Sequence, residues 1–288
     1  MVQKPVSSGF SRRSWTNVIL VMPAFLLLTV FYVYPMFRIG WLSVADPKLG
    51  LQNYHTILTS ATHLKILYQT FSMCAIVAVV CLILGYLIAY TVNHLESKRV
   101  VALMLFFILV PFWTSILIRA YSWIVILRQD GIINHLLLNI GLISEPATLV
   151  RNRFGVTVGM VHVMLPFMTL PILSAMKGID KQLIQAARSL GASPFVAFWK
   201  VYLPLSLPGV YAGVVLVFIL SLGFYITPAL LGGGKFVMIA EYISLQVQLV
   251  LKWGMGSALA VLLLIMVLGL LAIFGKFLNI QKLVSGYR

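Results

Sequence analysis

Acidic residues are scarce in this chain. Of 288 residues only six are Asp or Glu, and charged residues of both signs make up 9% of the sequence. An ordinary soluble domain carries about 25% charged residues, so a soluble fold with this composition could not cover its own surface. The hydrophobic content of 61% and the mean hydropathy of +1.03 indicate a protein whose solvent is the lipid bilayer.

The shortage of acids also explains the formal net charge of +15. The 21 Lys and Arg residues are spread over short loops and form no basic face, so we do not predict nucleic-acid binding. Cysteine is limited to Cys74 and Cys81, which lie seven residues apart in one apolar run. That spacing puts them two helical turns apart, too far to bridge each other.

Catalytic and metal-binding signatures are missing. The five His residues show no metal-ligand spacing, and there is no His-Glu-x-x-His motif. The segment Gly232-Gly-Gly-Lys235 departs from a phosphate-binding loop, because Ala229 stands where a Gly is required and Phe236 where a Ser or Thr is required. We therefore predict no catalytic residue, no metal site and no cofactor in this chain.

Six long apolar runs predict six transmembrane helices. A helix needs about 20 apolar residues to cross the hydrocarbon core, and lipid forces each segment to satisfy its own backbone hydrogen bonds. The sequence thus predicts an all-α polytopic membrane protein, with a third span long enough to tilt or break. The predicted spans are Val18–Ile39, Ile66–Val92, Val100–Leu127, Phe154–Met176, Pro208–Leu231 and Ser257–Leu278.

Basic pairs at helix ends predict the orientation. Arg12-Arg13 and Lys98-Arg99 lie directly beside apolar runs, and such residues favour the cytoplasmic side. Both termini are then cytoplasmic, with residues 1–17 as an N-terminal tail and residues 18–288 as the transmembrane domain. In the outer loop 128–153, apolar residues with helical spacing predict an interfacial helix.

The longest cytoplasmic loop, residues 177–207, predicts two short helices that meet at a glycine turn. Asp180 and Ser193 suit N-caps, Gly191 suits the left-handed position after a helix, and Pro194 suits a first helical position. The second helix is expected to run to about Val201, and Pro204 and Pro208 are expected to mark the re-entry of the chain into the membrane. An apolar stripe on the first helix favours docking into a groove of a partner protein. The alternative is a loop that packs on its own bundle.

This loop resembles the EAA loop of ABC importer permeases. Gln185-Ala186-Ala187, three residues, Gly191, nine residues and then Val201-Tyr-Leu-Pro204 reproduce its spacing. Gln185 replaces the usual Glu, and Val201 the usual Ile. The resemblance covers most of the chain, from about residue 66 onward, and implies the type I importer permease bundle of the bacterial inner membrane.

In that family the loop forms a coupling helix, which sits in a cleft of the ATPase subunit. By position, the resemblance assigns ATPase coupling to Gln185, Ala186, Ala187, Gly191, Val201, Leu203 and Pro204. It also implies four kinds of partner: an ABC ATPase dimer that hydrolyses the ATP, a second homologous permease, an extracytoplasmic solute-binding protein and membrane lipid.

A narrower resemblance concerns the substrate. The segment Pro111-Phe-Trp-Thr-Ser-Ile-Leu-Ile-Arg-Ala-Tyr-Ser-Trp123 and the segment Gly223–Gly233 are similar to signatures of spermidine/putrescine permeases. The resemblance implies import of a small cationic solute such as a polyamine. Relatives that carry opines or amino-acid-like solutes share these motifs, and that alternative stays open.

Seven residues are candidates for the translocation pathway. Five aromatic residues offer cation–π faces to an ammonium group, although interface belts and core packing are commoner roles. Arg119 in an apolar run is a candidate for gating or for a partner contact, against simple snorkelling to the interface. Glu241 is expected on an outer loop, where it is solvated, binds a cation or contacts a binding protein. The set is Trp113, Arg119, Tyr121, Trp123, Phe224, Tyr225 and Glu241.

Two rival functions make different demands on the sequence. An integral-membrane enzyme needs acids, His or metal ligands that converge at one membrane face. A standalone secondary transporter often shows paired repeats and buried acids for ion coupling. The sequence has neither pattern, so both rivals rank below the importer permease.

Overall fold

The structure is a computed structural model that describes residues 12–278, with side chains for residues 20–276. Two π-helical turns, Thr29–Val33 and Phe198–Tyr202, join α1 to α2 and α10 to α11. The helices are α1 Arg12–Leu28, α2 Tyr34–Ala45, α3 Gln52–Thr59, α4 Ala61–His94, α5 Lys98–Trp113, α6 Ile116–Leu127, α7 Ile132–Asn139, α8 Arg153–Lys177, α9 Lys181–Ser189, α10 Pro194–Ala197, α11 Leu203–Leu222, α12 Ile226–Gly232, α13 Ile239–Gln248 and α14 Trp253–Leu278.

Five helical segments within residues 12–278 are long and apolar enough to cross a membrane, and a sixth results if the bent pair α5–α6 is one span. This pattern confirms the all-α polytopic fold. The first helix already begins at Arg12, within the predicted tail of residues 1–17, and residues 1–11 of that tail lie outside the described residues. The five segments are Leu20–Ala45, Ala61–His94, Arg153–Lys177, Pro194–Leu222 and Trp253–Lys276.

The third predicted span is broken. The chain turns by 108° between Lys98–Trp113 and the helical segment that begins at Ile116. Pro111 lies in the last turn of α5, where its ring removes one backbone donor and crowds the preceding turn. Thr114 and Ser115 then adopt extended ψ angles of 140° and 135°. The expectation that this run would tilt or break is therefore confirmed as a break.

The predicted fifth span, residues 208–231, is wrong at both ends. One continuous helix runs from Pro194 to Leu222, and α12 follows as a separate short helix. Pro204 does not end the helix, because it stands in the first turn of α11 directly after a π-helical turn. A wider π turn accommodates a local change in the backbone hydrogen-bond register. The coupling loop and the fifth span consequently share one helical rod.

Helices α4, α8 and α11 form the core of the bundle. A Cβ atom on Gly209 of α11 would lie 2.6 Å from the Pro171 carbonyl oxygen of α8, so these two backbones touch. Methionines of α4 and α8 fill the core between them. The first span packs on α14 through α2, and its side chains from Leu20 to Val33 are exposed, as lipid contact requires.

Candidate coupling and translocation sites

The loop between α8 and α11 has the local structure that the sequence predicts. Asp180 Oδ1 accepts a hydrogen bond from Gln182 N at 2.9 Å, and Ser193 Oγ accepts one from Val196 N at 3.3 Å. Gly191 has a φ of +89°, which places it in the left-handed region that glycine favours. The two N-caps and the glycine turn are confirmed.

The apolar stripe of α9 and the neighbouring Phe195 of α10 face away from the bundle. The exposed fraction is 89% for Leu190 and 71% for Phe195, and Gln185 and Ala186 are also exposed. Ile184, on the other side of α9, packs against the core. The loop is thus anchored by one face and presents the other face uncovered, contrary to the alternative that the stripe packs on its own bundle.

The end of the coupling segment differs from the prediction in one respect. The second helix does not stop near Val201, because the π-helical turn carries it directly into α11. Val201 and Leu203 are half-buried, and Pro204 is exposed. These three residues form the base of the rod that leads to Leu222, and they mark no re-entry turn.

Tyr202 anchors this base, and sequence reasoning missed its role. Its hydroxyl oxygen accepts a hydrogen bond from Asn93 Nδ2 of α4 at 3.0 Å. Its ring stacks on Phe198 and meets Tyr90 edge-on, with ring centroids 5.9 and 5.5 Å apart. A signal was present, because Tyr86, Tyr90 and His94 recur every four residues and so share one face of α4.

Two of the seven pathway candidates meet in one pocket at the α5–α6 break. Arg119 and Trp123 both line a cavity of about 350 Å³, together with His162 of α8. Trp123 Nε1 donates a hydrogen bond to His162 Nδ1 at 3.0 Å. Arg119 Nη2 donates one to the Thr114 carbonyl oxygen at 3.1 Å, which is freed by the break. His162 lies inside the fourth span and is not among the seven pathway candidates.

The four other aromatic candidates lie apart from this pocket. Trp113 and Tyr121 are exposed on the surface of the α5–α6 segment, and Phe224 packs against the core. The Tyr225 hydroxyl accepts a hydrogen bond from Ser244 Oγ at 3.4 Å. Within residues 12–278, no three His, Cys, Asp or Glu side chains are grouped to hold a metal ion.

Glu241 is buried, which corrects its expected place on an outer loop. It stands in the first turn of α13 and is 6% exposed. Its carboxylate accepts a hydrogen bond from the Met238 backbone, while Oε2 has no partner among the described residues. Burial raises the pKa of this carboxyl, and the backbone hydrogen bond lowers it by less.

The depth of Glu241 follows from a neighbouring contact. Ile239 N, two residues earlier, donates a hydrogen bond to Thr70 Oγ1 of α4 at 2.9 Å. Thr70 lies more than two turns inside α4, which begins at Ala61. The first turn of α13 therefore lies beside the third turn of α4 and not at its end, and this position places the Glu241 carboxylate inside the bundle.

Comparison with known proteins places this architecture in a family. Residues 82–283 match the family described as binding-protein-dependent transport system inner membrane component. The spermidine/putrescine transport system permease protein PotB of Haemophilus influenzae is 34% identical over 269 residues, which cover 92% of each chain. PotB of Escherichia coli is 37% identical over 221 residues, or 77% of this chain and 79% of PotB.

The fold is also that of solved importers. A chain of a bacterial ABC transporter involved in import of the acidic polysaccharide alginate superposes with a TM-score of 0.74 at 17% identity, covering 93% of this chain and 96% of that one. At this identity the likeness establishes the fold. From the family match, the PotB similarity and this fold, the chain belongs to the binding-protein-dependent transport system inner membrane components, the multi-pass permease subunits of ABC importers.

Proposed function

We propose that this chain is one of two permease subunits of an importer that moves spermidine, putrescine or a related small cation into the cytoplasm. Energy comes from a separate ATPase dimer that docks on the coupling loop, residues 177–207. Both termini and the coupling loop lie on the cytoplasmic side, and a solute-binding protein delivers the cation to the opposite face.

The observation that carries the proposal is the uncovered stripe of the coupling loop on a rigid helix. Leu190 and Phe195 expose apolar surface at one end of a segment that is helical from Pro194 to Leu222. Exposed apolar helix faces at a membrane protein's aqueous end favour docking into a partner groove. Phe195 lies at the start of this segment, so a push on Phe195 is carried to the far end, beside α12, without an intervening hinge.

Two observations support a cationic solute. The PotB proteins of Haemophilus influenzae and Escherichia coli are named for spermidine and putrescine transport. Glu241 places a buried carboxylate with a free oxygen at depth in the bundle, and a buried charge of this kind is stabilised by a cation. The binding-protein partner is supported by a similar permease of an alginate transporter solved with a periplasmic protein.

The test is affinity purification of the tagged full-length chain from native membranes, followed by ATP-dependent spermidine uptake in proteoliposomes. We expect an ATPase and a second permease to copurify with the wild type. Leu190→Asp should abolish recovery of the ATPase, whereas Leu49→Asp, at an exposed leucine between α2 and α3, should not. Spermidine uptake that follows an ion gradient without ATP, or no ATPase with the wild type, would refute the proposal.

A further inference from the structure

In the pocket at the α5–α6 break, the guanidinium of Arg119 has one bonded nitrogen and one buried nitrogen without a partner among the described residues. Arg119 Nε is buried and has no hydrogen-bond partner among the described residues, although Nη2 of the same guanidinium is bonded. A buried cationic donor without an acceptor is strongly unfavourable. The assembled protein in its membrane therefore has to supply an acceptor at this position.

The rest of the lining offers donors and no carboxylate. Because the indole of Trp123 can only donate, His162 Nδ1 is the acceptor of their bond, which leaves the proton of the neutral imidazole on Nε2. No Asp or Glu is among the residues that the structure places around this cavity. An oxyanion is the strongest acceptor for a guanidinium N–H, and a cationic solute does not provide one.

The length of α5 brings its end near the headgroup level of a bilayer. Helix α5 begins at Lys98 and has 16 residues, which gives a length of about 24 Å. The hydrocarbon core is about 30 Å thick, so a straight α5 that starts at one boundary ends about 6 Å short of the other. Lipid phosphates occupy the layer just beyond that boundary, and a long arginine side chain spans such a distance to place its charged group in the headgroup layer.

The rim of the pocket fits acyl chains. Phe107 and Ile118 line it and are each 66% exposed, so the opening is apolar and faces sideways from the helices, while Arg119 lies with His162 in the polar part. A phospholipid matches this arrangement, because its headgroup is polar and its acyl chains are apolar. We infer that this pocket binds the phosphodiester of a phospholipid at Arg119, with the acyl chains on Phe107 and Ile118.

The experiment measures lipid binding to the importer complex recovered with the tagged full-length chain. Dioleoylphosphatidylglycerol is titrated into delipidated complex and the first bound lipid is followed by native mass spectrometry. Arg119→Gln keeps a side chain of polar character but removes the charge, so the affinity of the first lipid should fall about tenfold or more, as loss of a charge-assisted hydrogen bond typically gives. Arg119→Lys should retain part of the affinity.

Two controls separate this site from general attraction of lipid to charge. Arg38→Gln removes another arginine of the membrane domain, exposed on α2, and should leave the first binding event unchanged. Dioleoylglycerol, which lacks the phosphate, should bind wild type and Arg119→Gln equally. Equal phosphatidylglycerol affinity in wild type and Arg119→Gln would overturn the inference, as would an equal loss in Arg38→Gln.

Other sources of the oxyanion give distinct results. Unchanged lipid affinity in Arg119→Gln together with reduced recovery of the second permease would assign the acceptor to a protein carboxylate and overturn the lipid assignment. Unchanged lipid affinity with weaker transport of a solute that carries a carboxylate would assign it to the cargo and overturn it equally. Lipid binding is read without transport, so failure here leaves the proposed import function intact.

Discussion

Asn93 and Tyr202 are 109 residues apart in sequence, and the amide of Asn93 donates a 3.0 Å hydrogen bond to the hydroxyl of Tyr202. This contact ties the end of α4, in the core, to the π-helical turn that joins the coupling loop to α11. Any force on the coupling loop therefore acts on α4 as well as along the rod from Pro194 to Leu222. Under the proposed docking of an ATPase on the coupling loop, its motion reaches the core at this point.

Tyr202→Phe tests that role. The substitution keeps the stacked ring and leaves the half-buried Asn93 amide without its acceptor, so we expect a loss of about 1 kcal/mol of stability and a lower ratio of spermidine transported to ATP hydrolysed. The matched control is Tyr90→Phe, whose hydroxyl makes no hydrogen bond among the described residues. An equal transport ratio for both variants and the wild type would show that the Asn93 contact carries no coupling.

Gly191→Ala tests the turn between α9 and α10. No atom lies within 4 Å of an added Cβ, but the φ of +89° is unfavourable for any L side chain, at a cost of about 1–2 kcal/mol. We expect α9 to reorient and substrate-stimulated ATPase activity to uncouple from uptake, while the chain still inserts in the membrane. Gly178→Ala is the control, because Gly178, before α9, has a φ of −79°. Full coupling in Gly191→Ala would remove this turn from the mechanism.

Local features of the fold were predictable because their determinants lie within a few residues. The apolar runs identify the spans, and Asp180, Gly191 and Ser193 each act on backbone groups at most three residues away. The EAA-like spacing likewise predicts the coupling loop, since the whole pattern lies in one segment.

The features that escaped prediction depend on distant partners or on helix geometry. The contact of Tyr202 with Asn93 and that of Trp123 with His162 join helices far apart in sequence. The proline at position 204 predicts a break between α10 and α11, whereas the π turn before Pro204 accommodates that residue and the helix continues. Burial of Glu241 arises because α13 is drawn inward by Thr70, which no local pattern reveals.

Gly209→Ala tests the close approach of α8 and α11. The new Cβ would lie 2.6 Å from the Pro171 carbonyl oxygen and 3.0 Å from Ile172 Cα, and backbone atoms cannot rotate away. Such overpacking costs about 1–3 kcal/mol, so the apparent melting temperature in detergent should fall. Gly269→Ala in α14, where no atom lies within 4 Å, should leave it unchanged or raise it. A stable Gly209→Ala protein would mean that the two helices separate easily.

Glu241→Gln tests whether a buried carboxylate is kept at the expense of stability. Burial raises the pKa of this carboxyl above its ordinary value of 4.5, so the folded chain holds the proton more tightly than the unfolded chain. Wild-type stability should therefore fall as pH rises from about 4.5 through the raised pKa. Gln has no charge to bury and can still accept the Met238 hydrogen bond, so this part of the pH dependence should disappear and the apparent melting temperature at pH 7 should rise.

If the carboxylate binds the passing cation, spermidine uptake should fall in the Glu241→Gln variant. The control Glu145→Gln, at an exposed position, should change neither the melting temperature nor the uptake. Unchanged uptake with raised stability would exclude Glu241 from the pathway, and an unchanged pH profile would show that its carboxyl is solvated.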